Sequence, residues 1–142
     1  MEMKKDYGLF HVGQKILLKK DGKYLFLKMH SGKYDFPGGR IDNDEYTTPL
    51  QNALTREIRE ELGEGIVYTL GAVACQFRRY LKTMDRYVFL TVFEAEYVSG
   101  TEVLSDEHAG AEWINPNEKT FMREEFSNEE EYTAVTEYFA QR

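Results

Sequence analysis

Hydrophobic residues recur along the chain with two different spacings, and each spacing predicts a different kind of element. Two apolar, β-prone runs within residues 15–29 are joined by Asp21-Gly22, a dipeptide typical of a tight hairpin turn. Residues 82–85 are predicted to form a second hairpin tip. Three further apolar runs predict strands, at about 66–81, 86–98 and 112–114. Hairpins imply antiparallel pairing in at least part of the sheet.

Residues 49–62 have the spacing of an amphipathic helix. Four apolar residues at intervals of four form one stripe for the core: Leu50, Leu54, Ile58 and Leu62. Thr48 is the predicted N-cap, with Gln51 completing a capping box and Pro49 at the first helical position. Gly63 is predicted to end the helix, because glycine readily adopts the conformation that follows a helix.

A second helix is predicted near the carboxyl end, in residues 127–141. Ser127 is its predicted N-cap and Glu130 the capping-box partner. Its inward stripe consists of Tyr132, Val135 and Phe139. Residues 30–46 are rich in Gly, Asp and Asn and are predicted to be a loop. This mixture of helices and hairpins predicts an α/β fold, in which helices pack on a mixed sheet.

The composition is that of a folded protein of modest size. At 142 residues, with 42% hydrophobic and 14% aromatic residues, we expect residues 1–142 to form a single domain with a packed core. Asp and Glu number 25 against 18 Lys and Arg, which gives a net charge of -7. Such a surface disfavours nucleic acid and anionic membranes as partners, but a small anionic substrate can bind where a cation screens it.

Two observations bear on the cellular compartment. The single cysteine, Cys75, lies in an apolar run, where we expect a buried structural thiol rather than a catalytic nucleophile. Residues 1–8 lack the apolar stretch of a signal peptide, and no segment approaches the length of a membrane span. These features predict a cytoplasmic protein.

Two clusters of glutamate fall on the predicted helices. Residues 129–131 occupy the first turn of the second helix, where the helix dipole favours negative charge, and we interpret them as a solvated helix start. Glu57, Glu60 and Glu61 instead occupy the last turns of the first helix, where each charge costs roughly 0.3–1 kcal/mol. These carboxylates are neighbours on one arc, and a pair about 5 Å apart repels by roughly 3 kcal/mol at an effective dielectric constant near 20.

A divalent cation would relieve this repulsion. Carboxylate oxygens on adjacent helical turns suit Mg²⁺ or Mn²⁺. Zinc would call for His or Cys, and the 3 histidines are scattered without zinc spacing. The spacing alone leaves an ordinary solvated surface open as the alternative.

The loop and the first helix together resemble the Nudix box, the signature of Nudix hydrolases. That signature is a Gly, five residues, a Glu, seven residues, and then Arg-Glu-hydrophobic-any-Glu-Glu-any-Gly-hydrophobic. Gly39 and Glu45 match its first pair. Six residues match its second half: Arg56, Glu57, Ile58, Glu60, Glu61 and Gly63. Residues 34–38 also resemble the family's approach to the box.

Two positions depart from the signature. Ten residues, 46–55, separate Glu45 from Arg56 instead of seven, and the insertion falls mostly in the loop before the helix. The insertion therefore predicts that Glu45 is displaced from the position that this residue has in the family. The hydrophobic residue expected after the final glycine is Glu64, and Ile66 is the candidate to take over its packing role.

The resemblance implies a Nudix-type α/β/α sandwich with a mixed sheet. It also implies an enzyme that hydrolyses a nucleoside diphosphate linked to another group, in which a metal-activated water attacks phosphorus. Glu57 and Glu61 would be the chief ligands of Mg²⁺ or Mn²⁺, Glu60 a ligand or base, and the Gly39 carbonyl a further ligand. Arg56 would hold a catalytic glutamate by a charge-assisted hydrogen bond.

The resemblance also bears on the substrate and the assembly. Small members of the family commonly act on nucleoside triphosphates or on nucleotide-sugar-like diphosphates, so a nucleotide substrate is implied. Homodimers are frequent in the family, which makes a homodimer one expectation for this chain.

Many family members carry a further acidic residue just before a Trp on a late strand. Asp106, Glu107 and Glu112 precede or adjoin Trp113 in this sequence. We favour Glu107 as a catalytic residue, because a loop residue can reach into a cleft. A solvated acidic loop is the alternative.

The segment around residues 77–87 combines basic and aromatic residues. Arg78, Arg86 and Tyr80 are candidates for gripping substrate phosphates or stacking a base. The alternative, which we favour for the set, is a charged hairpin end that keeps strand edges from pairing. Strand alternation places Arg78 and Arg79 on opposite faces, so only one of the two can face a cleft.

Two other functions stay open. A non-catalytic Nudix module that senses a nucleotide would be supported by loss of the box glutamates, and all three are present. A member directed at RNA caps is disfavoured by the acidic net charge.

Overall fold

The computed structural model describes residues 4–142. Its elements in chain order are β1 (Phe10–Lys20), β2 (Lys23–Lys28), β3 (Tyr34–Asp35), β4 (Gly38–Arg40), α1 (Leu50–Leu62), β5 (Val67–Leu81), β6 (Arg86–Ser99), β7 (Gly110–Ile114) and α2 (Glu129–Ala140). Residues 1–3, which belong to the predicted single domain and to the segment predicted to lack a signal peptide, lie outside this range. Within the described range, no helix is both long enough and apolar enough to cross a bilayer.

The strands form one mixed sheet around β1. β1 is parallel to β6 and antiparallel to β2 and β4, and the order along the sheet is β3-β2-β1-β6-β5. β7 pairs with β2, and β5 pairs with β6 in a long antiparallel hairpin. Both predicted hairpins are confirmed, and Asp21 and Gly22 have the positive φ values, 51° and 77°, that the first tight turn requires.

The central strands are apolar at consecutive positions because both faces of the sheet are covered. Leu17 and Phe26 pack on one face against Val135 and Phe139 of α2. The alternate residues of β1 and β2 pack on the other face against the apolar stripe of α1; they are Ile16, Leu18, Leu25 and Leu27. Because side chains alternate along a strand, consecutive apolar residues give both faces of the sheet a hydrophobic surface, and one helix covers each face. The predicted α/β/α sandwich with a mixed sheet is confirmed.

The start of α1 differs from the prediction. Pro49 occupies the N-cap position and no side chain caps the helix, so Thr48 and Gln51 do not form the expected capping box. Leu50 is 61% exposed, because the first turn of α1 stands at the rim of a cleft rather than over the sheet. The remaining stripe of Leu54, Ile58 and Leu62 is buried as predicted, and Gly63 ends the helix with φ of 83°.

The start of α2 is shifted by one residue. Asn128, not Ser127, is the N-cap, and its side chain accepts a hydrogen bond from the Glu131 N–H at 2.8 Å. Glu131 itself is fully buried, so the interpretation of residues 129–131 as a solvated helix start is wrong for this residue. Its partner is Arg79 in β5.

Residues 30–46 are more ordered than the predicted loop. Tyr34 and Phe36 are buried in the core. Tyr34 begins β3, and β4 follows shortly after Phe36. β4 pairs with the amino-terminal half of β1. The Gly-rich composition does not predict this pairing, because β4 and the central strand are distant from each other in sequence.

Ile66 and Cys75 were also predicted to be buried. Ile66 lies in the same buried cluster as Leu62, so it takes the packing role that Glu64 cannot. Cys75 is half-buried, and burial raises the pKa of its thiol to about 12. A thiol with that pKa is protonated at neutral pH, as expected for a structural cysteine.

Candidate active site and metal centre

A cleft of about 1210 Å³ opens between the acidic face of α1 and the sheet. β4 forms one edge of the cleft, and the loop before β7 forms the opposite rim. Charged residues from several elements meet there: Lys15, Asp35, Arg40, Arg56, Glu57, Glu60, Glu61, Arg79, Glu107 and His108. The catalytic and metal-binding residues predicted from the sequence all line this cleft.

Two glycines let the carboxylates of α1 approach the backbone of β4. The Gly38 N–H donates a 2.7 Å hydrogen bond to Oε1 of Glu61. At Gly39, an added Cβ would overlap the carboxylate of Glu57 and displace it from this position. The Gly39 carbonyl points towards β1, where its oxygen lies 3.3 Å from the place that a Cβ of Gly13 would take. The metal-ligand role of that carbonyl stays a prediction.

Arg56 ties the loop before α1 to the acidic face of the helix. Its Nε donates to Oε2 of Glu45 at 2.7 Å, so the inserted residues do not keep Glu45 away from the helix. Nη1 lies 2.8 Å from Oε1 of Glu57 and 3.2 Å from Oε1 of Glu60. Asp42 adds a fourth carboxylate at 3.4 Å from Nη2. One guanidinium therefore faces four carboxylates, and their negative charge exceeds its positive charge.

The three helix glutamates have different surroundings. The side chain of Glu60 is 58% exposed, that of Glu57 is 17% exposed, and that of Glu61 is only 3% exposed. Burial raises the pKa of Glu61 to about 7 and also raises the pKa of Glu57. The energetic cost of negative charge, which the sequence predicted for the whole cluster, therefore falls mainly on Glu57 and Glu61.

A buried network of four charges lies beneath the cleft. Asp35 Oδ1 is 3.1 Å from Lys15 Nζ and accepts a 2.9 Å hydrogen bond from Nη1 of Arg79. The other nitrogens of Arg79 donate to both oxygens of Glu131 at 2.8 Å. Although burial alone would raise it, Lys15 and Arg79 lower the pKa of Asp35 well below its usual value. Within this network, the positive charges of Lys15 and Arg79 are therefore balanced by the negative charges of Asp35 and Glu131.

His108 lies between this network and Glu61. Its Nε2 makes a 2.9 Å hydrogen bond with Oδ2 of Asp35, and since ionised Asp35 can only accept, Nε2 carries the proton. Nδ1 lies 3.3 Å from Oε2 of Glu61 without the geometry of a hydrogen bond. Among residues 4–142, Nδ1 has no hydrogen-bond partner, although the side chain is only 6% exposed.

The residues predicted to bind substrate lie outside the cleft lining. Arg78 pairs with Glu130 at the edge of the sheet. The Tyr80 hydroxyl donates to Asp85 in the hairpin tip, and the one hydrogen bond of the Arg86 side chain within residues 4–142 goes to the Leu9 carbonyl, at 3.5 Å. Alternation along β5 accounts for Arg78 and Tyr80, because the residues of that strand that line the cleft are Arg79 and Leu81. Glu107 is exposed and lies on the cleft rim.

The residues of the buried network were not predicted from the sequence. Lys15 and Asp35 are single charges within apolar strand sequences, which was the available signal for a buried pair. His108 had no local signal, because its partners lie 47 and 73 positions away in the chain, at Glu61 and Asp35.

Comparison with known proteins decides the family. The sequence model described as the NUDIX domain matches residues 9–135. The chain belongs to the Nudix family. This confirms the membership and the enzyme class, a Nudix pyrophosphohydrolase, that the box residues predicted.

Nudix relatives resemble the chain in sequence and in fold. A protein of Salmonella arizonae named nucleoside triphosphatase NudI is 28% identical over 116 residues, which cover 72% of this chain and 79% of the relative. The crystal structure of a MutT protein from Methanosarcina mazei superposes with a TM-score of 0.69 at 24% identity, covering 96% of this chain and 95% of the other. A MutT Nudix hydrolase from Burkholderia pseudomallei gives a TM-score of 0.69 at 22% identity, with 90% and 98% covered.

Nudix enzymes generally use divalent metals, and the residues of this cleft fit such an ion. Glu57 and Glu61 offer carboxylate oxygens that too few cations neutralise. Gly39 lets the carboxylate of Glu57 lie against the backbone of β4, in space that a Cβ would otherwise take. Nδ1 of His108 is a buried donor atom without a partner among the described residues.

Proposed function

We propose that this Nudix protein hydrolyses a pyrophosphate bond in a nucleoside diphosphate linked to another group, in a reaction that depends on Mg²⁺ or Mn²⁺. One observation carries the proposal. Glu57 and Glu61 face one cleft from adjacent turns of α1, and burial disfavours the charge of both carboxylates. Hard oxygen donors with uncompensated charge are the donors that these cations prefer.

Each residue of the box has a role in this reaction. Glu57 and Glu61 would hold the cation, with Glu60 as a further ligand or base. The Gly39 carbonyl would be a further ligand, as the resemblance to the Nudix box implies. A bound divalent cation would neutralise charge on the phosphate oxygens and lower the pKa of a bound water. Arg56 fixes the orientation of Glu57 through the 2.8 Å contact.

Two groups at the rim complete the arrangement. Glu107 faces the cleft from the loop before β7, where its carboxylate can accept a proton from the attacking water. Arg40 forms no ion pair with a carboxylate among the described residues, and its Nη1 contacts Nδ1 of His11 at 2.9 Å and Sδ of Met84 at 3.3 Å. Its charge is therefore available to a substrate phosphate, unlike the charges of Lys15 and Arg79.

The cleft favours a nucleotide over a smaller phosphate ester. Its volume of about 1210 Å³ exceeds that of most small-molecule pockets. Val88 and Leu90 on the sheet supply an apolar wall for a base or sugar. The relatives named nucleoside triphosphatase favour a nucleoside triphosphate as the first substrate to test, with a nucleotide sugar as the second.

The test is a turnover assay with a panel of nucleoside triphosphates, dinucleotides and nucleotide sugars in the presence of Mg²⁺ or Mn²⁺. Release of phosphate, pyrophosphate or a nucleoside monophosphate is expected for at least one compound, and Glu57→Gln should abolish it. Glu64→Gln, at an exposed position just after α1, is the matched control and should retain activity. Tight binding of a nucleotide without turnover would overturn the proposal in favour of the nucleotide-sensing module.

A further inference from the structure

We infer that His108 is a nitrogen ligand of the metal, acting with Glu61, and that it makes the site prefer Mn²⁺ to Mg²⁺. This inference rests on the proposed metal site at Glu57 and Glu61. Its experiments report on metal coordination directly, so it can fail while the proposed hydrolysis stands.

Two donor atoms of His108 and Glu61 face each other at a spacing that suits one ion. Nδ1 of His108 and Oε2 of Glu61 lie 3.3 Å apart, and both side chains are almost completely buried. Oε1 of Glu61 already accepts from the Gly38 N–H, whereas Oε2 has no such hydrogen bond among the described contacts. Two donors at neighbouring positions around a cation of this size lie about 3 Å apart, so these two atoms can share one ion.

The imidazole of His108 is held as a metal ligand would be. Metal-binding histidines usually donate their other ring N–H to a carboxylate, which fixes the tautomer and the ring orientation. Nε2 of His108 has this arrangement with Asp35 at 2.9 Å, which leaves the lone pair of Nδ1 free. Asp35 is itself held by Lys15, by Arg79 and by the Phe36 N–H at 2.8 Å. The ring is therefore oriented before any ion arrives.

Without metal, a proton between Nδ1 of His108 and Oε2 of Glu61 suits these facing atoms, because the hydrogen bond to Asp35 raises the pKa of His108 and burial raises that of Glu61. A divalent cation would take the place of that proton. Asp35 is close enough to be a donor in the same cluster, because the atoms of Asp35, Glu61 and His108 lie within 4.8 Å of one another. However, Oδ1 of Asp35 already pairs with Lys15 and Arg79, and its Oδ2 is bonded to Nε2 of His108, so both oxygens are engaged. His108 and Glu61 are thus the members left to bind.

The preference for Mn²⁺ follows from the nitrogen donor. Mg²⁺ is a hard cation that binds oxygen almost exclusively and gives up water reluctantly. Imidazole suits later divalent metals, and affinity at a given nitrogen and oxygen site rises from Mn²⁺ along the first transition row. A donor set of carboxylates with one imidazole therefore favours Mn²⁺ over Mg²⁺.

The direct test is pulsed electron paramagnetic resonance on the Mn²⁺-loaded protein. Electron spin echo modulation from a directly bound imidazole ¹⁴N is expected, and it should change to the ¹⁵N pattern when the protein is labelled with ¹⁵N-histidine. This measurement needs no substitution and so does not depend on the folding of a variant. Bound Mn²⁺ without nitrogen modulation would overturn the inference, and so would failure of Mn²⁺ to bind.

Two asparagine variants assign the signal to one histidine. His108→Asn replaces Nδ1 with an amide oxygen, so it should remove the nitrogen modulation and weaken Mn²⁺ binding about tenfold or more, with Mg²⁺ binding changed much less. His11→Asn, at a second histidine of the cleft, is the control and should retain the modulation. Modulation that survives in His108→Asn would overturn the assignment. Nitrogen coordination without turnover of any substrate would overturn the proposed hydrolysis alone.

Discussion

Arg79 and Glu131 form a buried ion pair that joins β5 to the first turn of α2. Two parallel hydrogen bonds of 2.8 Å connect them, Nε to Oε1 and Nη2 to Oε2. The Glu131 side chain is 0% exposed and that of Arg79 is 12% exposed. The third guanidinium nitrogen of Arg79 reaches Asp35 at 2.9 Å. Packing of α2 on the sheet therefore also positions the carboxylate that orients His108.

The first prediction concerns the stability of this pair. Glu131→Gln removes the charge that compensates Arg79 inside the protein, and loss of one partner of a buried ion pair typically costs about 3–5 kcal/mol. The expected result is a decrease of that size in the free energy of unfolding, measured by urea denaturation.

The neighbouring residue supplies the control for this prediction. Glu130 pairs with Arg78 at 2.6 Å, but both side chains are exposed, at 41% and 51%. Solvent-exposed pairs contribute little, so Glu130→Gln should leave the unfolding midpoint almost unchanged. Equal destabilisation by the two substitutions would show that burial does not distinguish the pairs.

Sequence periodicity predicted much of the fold for a physical reason. Hairpin turns and the stripe of α1 depend on residues that are close in sequence, so local spacing contains the information. Ile58 is 2% exposed and lies in the cluster between α1 and the sheet, as its spacing predicted. The Nudix box likewise located Glu57 and Glu61, because adjacent helical turns determine their separation.

The missed features all depend on residues that are distant in sequence. Glu131 lies in a first turn that looks like a favourable, solvated helix start. Its burial depends on Arg79, which is 52 positions earlier. Leu50 matched the apolar stripe but is exposed, because the first turn of α1 lies at the rim of the cleft. Periodicity defines the face of a helix but not the length of the surface that covers it.

The second prediction compares two residues of the same stripe. Ile58→Ala leaves a cavity in the core and should lower the free energy of unfolding by about 2–5 kcal/mol. Leu50→Ala removes a side chain that is 61% exposed, so its effect on unfolding should be much smaller. Chemical denaturation of both variants provides the measurement. A larger loss for Leu50→Ala would contradict the described packing of α1.

The third prediction concerns the space beside Glu57. Gly39→Ala introduces a Cβ that overlaps the Glu57 carboxylate, which must then move away from its position. We expect weaker Mn²⁺ binding by titration and at least about tenfold lower turnover, because a misplaced catalytic group is costly. Gly65→Ala is the control, since a Cβ there meets no atom of residues 4–142 within 4 Å. If the two variants bind Mn²⁺ equally well, the carboxylate beside Gly39 is not a ligand.

The last prediction separates function from stability at a single residue. Glu61→Gln keeps an oxygen that can accept from the Gly38 N–H, and it adds an amide N–H that can donate to Nδ1 of His108. It also removes a buried charge whose pKa burial raises to about 7. The free energy of unfolding without metal should therefore stay the same or rise by up to about 1 kcal/mol.

Activity should respond in the opposite direction, because an amide oxygen is a poorer ligand than a carboxylate. Turnover with Mg²⁺ or Mn²⁺ should fall by roughly 100-fold or more, the scale seen when one group that stabilises transition-state charge is lost. Metal should also stabilise the variant less than it stabilises the parent protein in thermal unfolding, since binding to the folded state alone raises stability. Loss of activity together with a strongly destabilised fold would instead assign Glu61 to the core. Parental turnover would remove it from the metal centre.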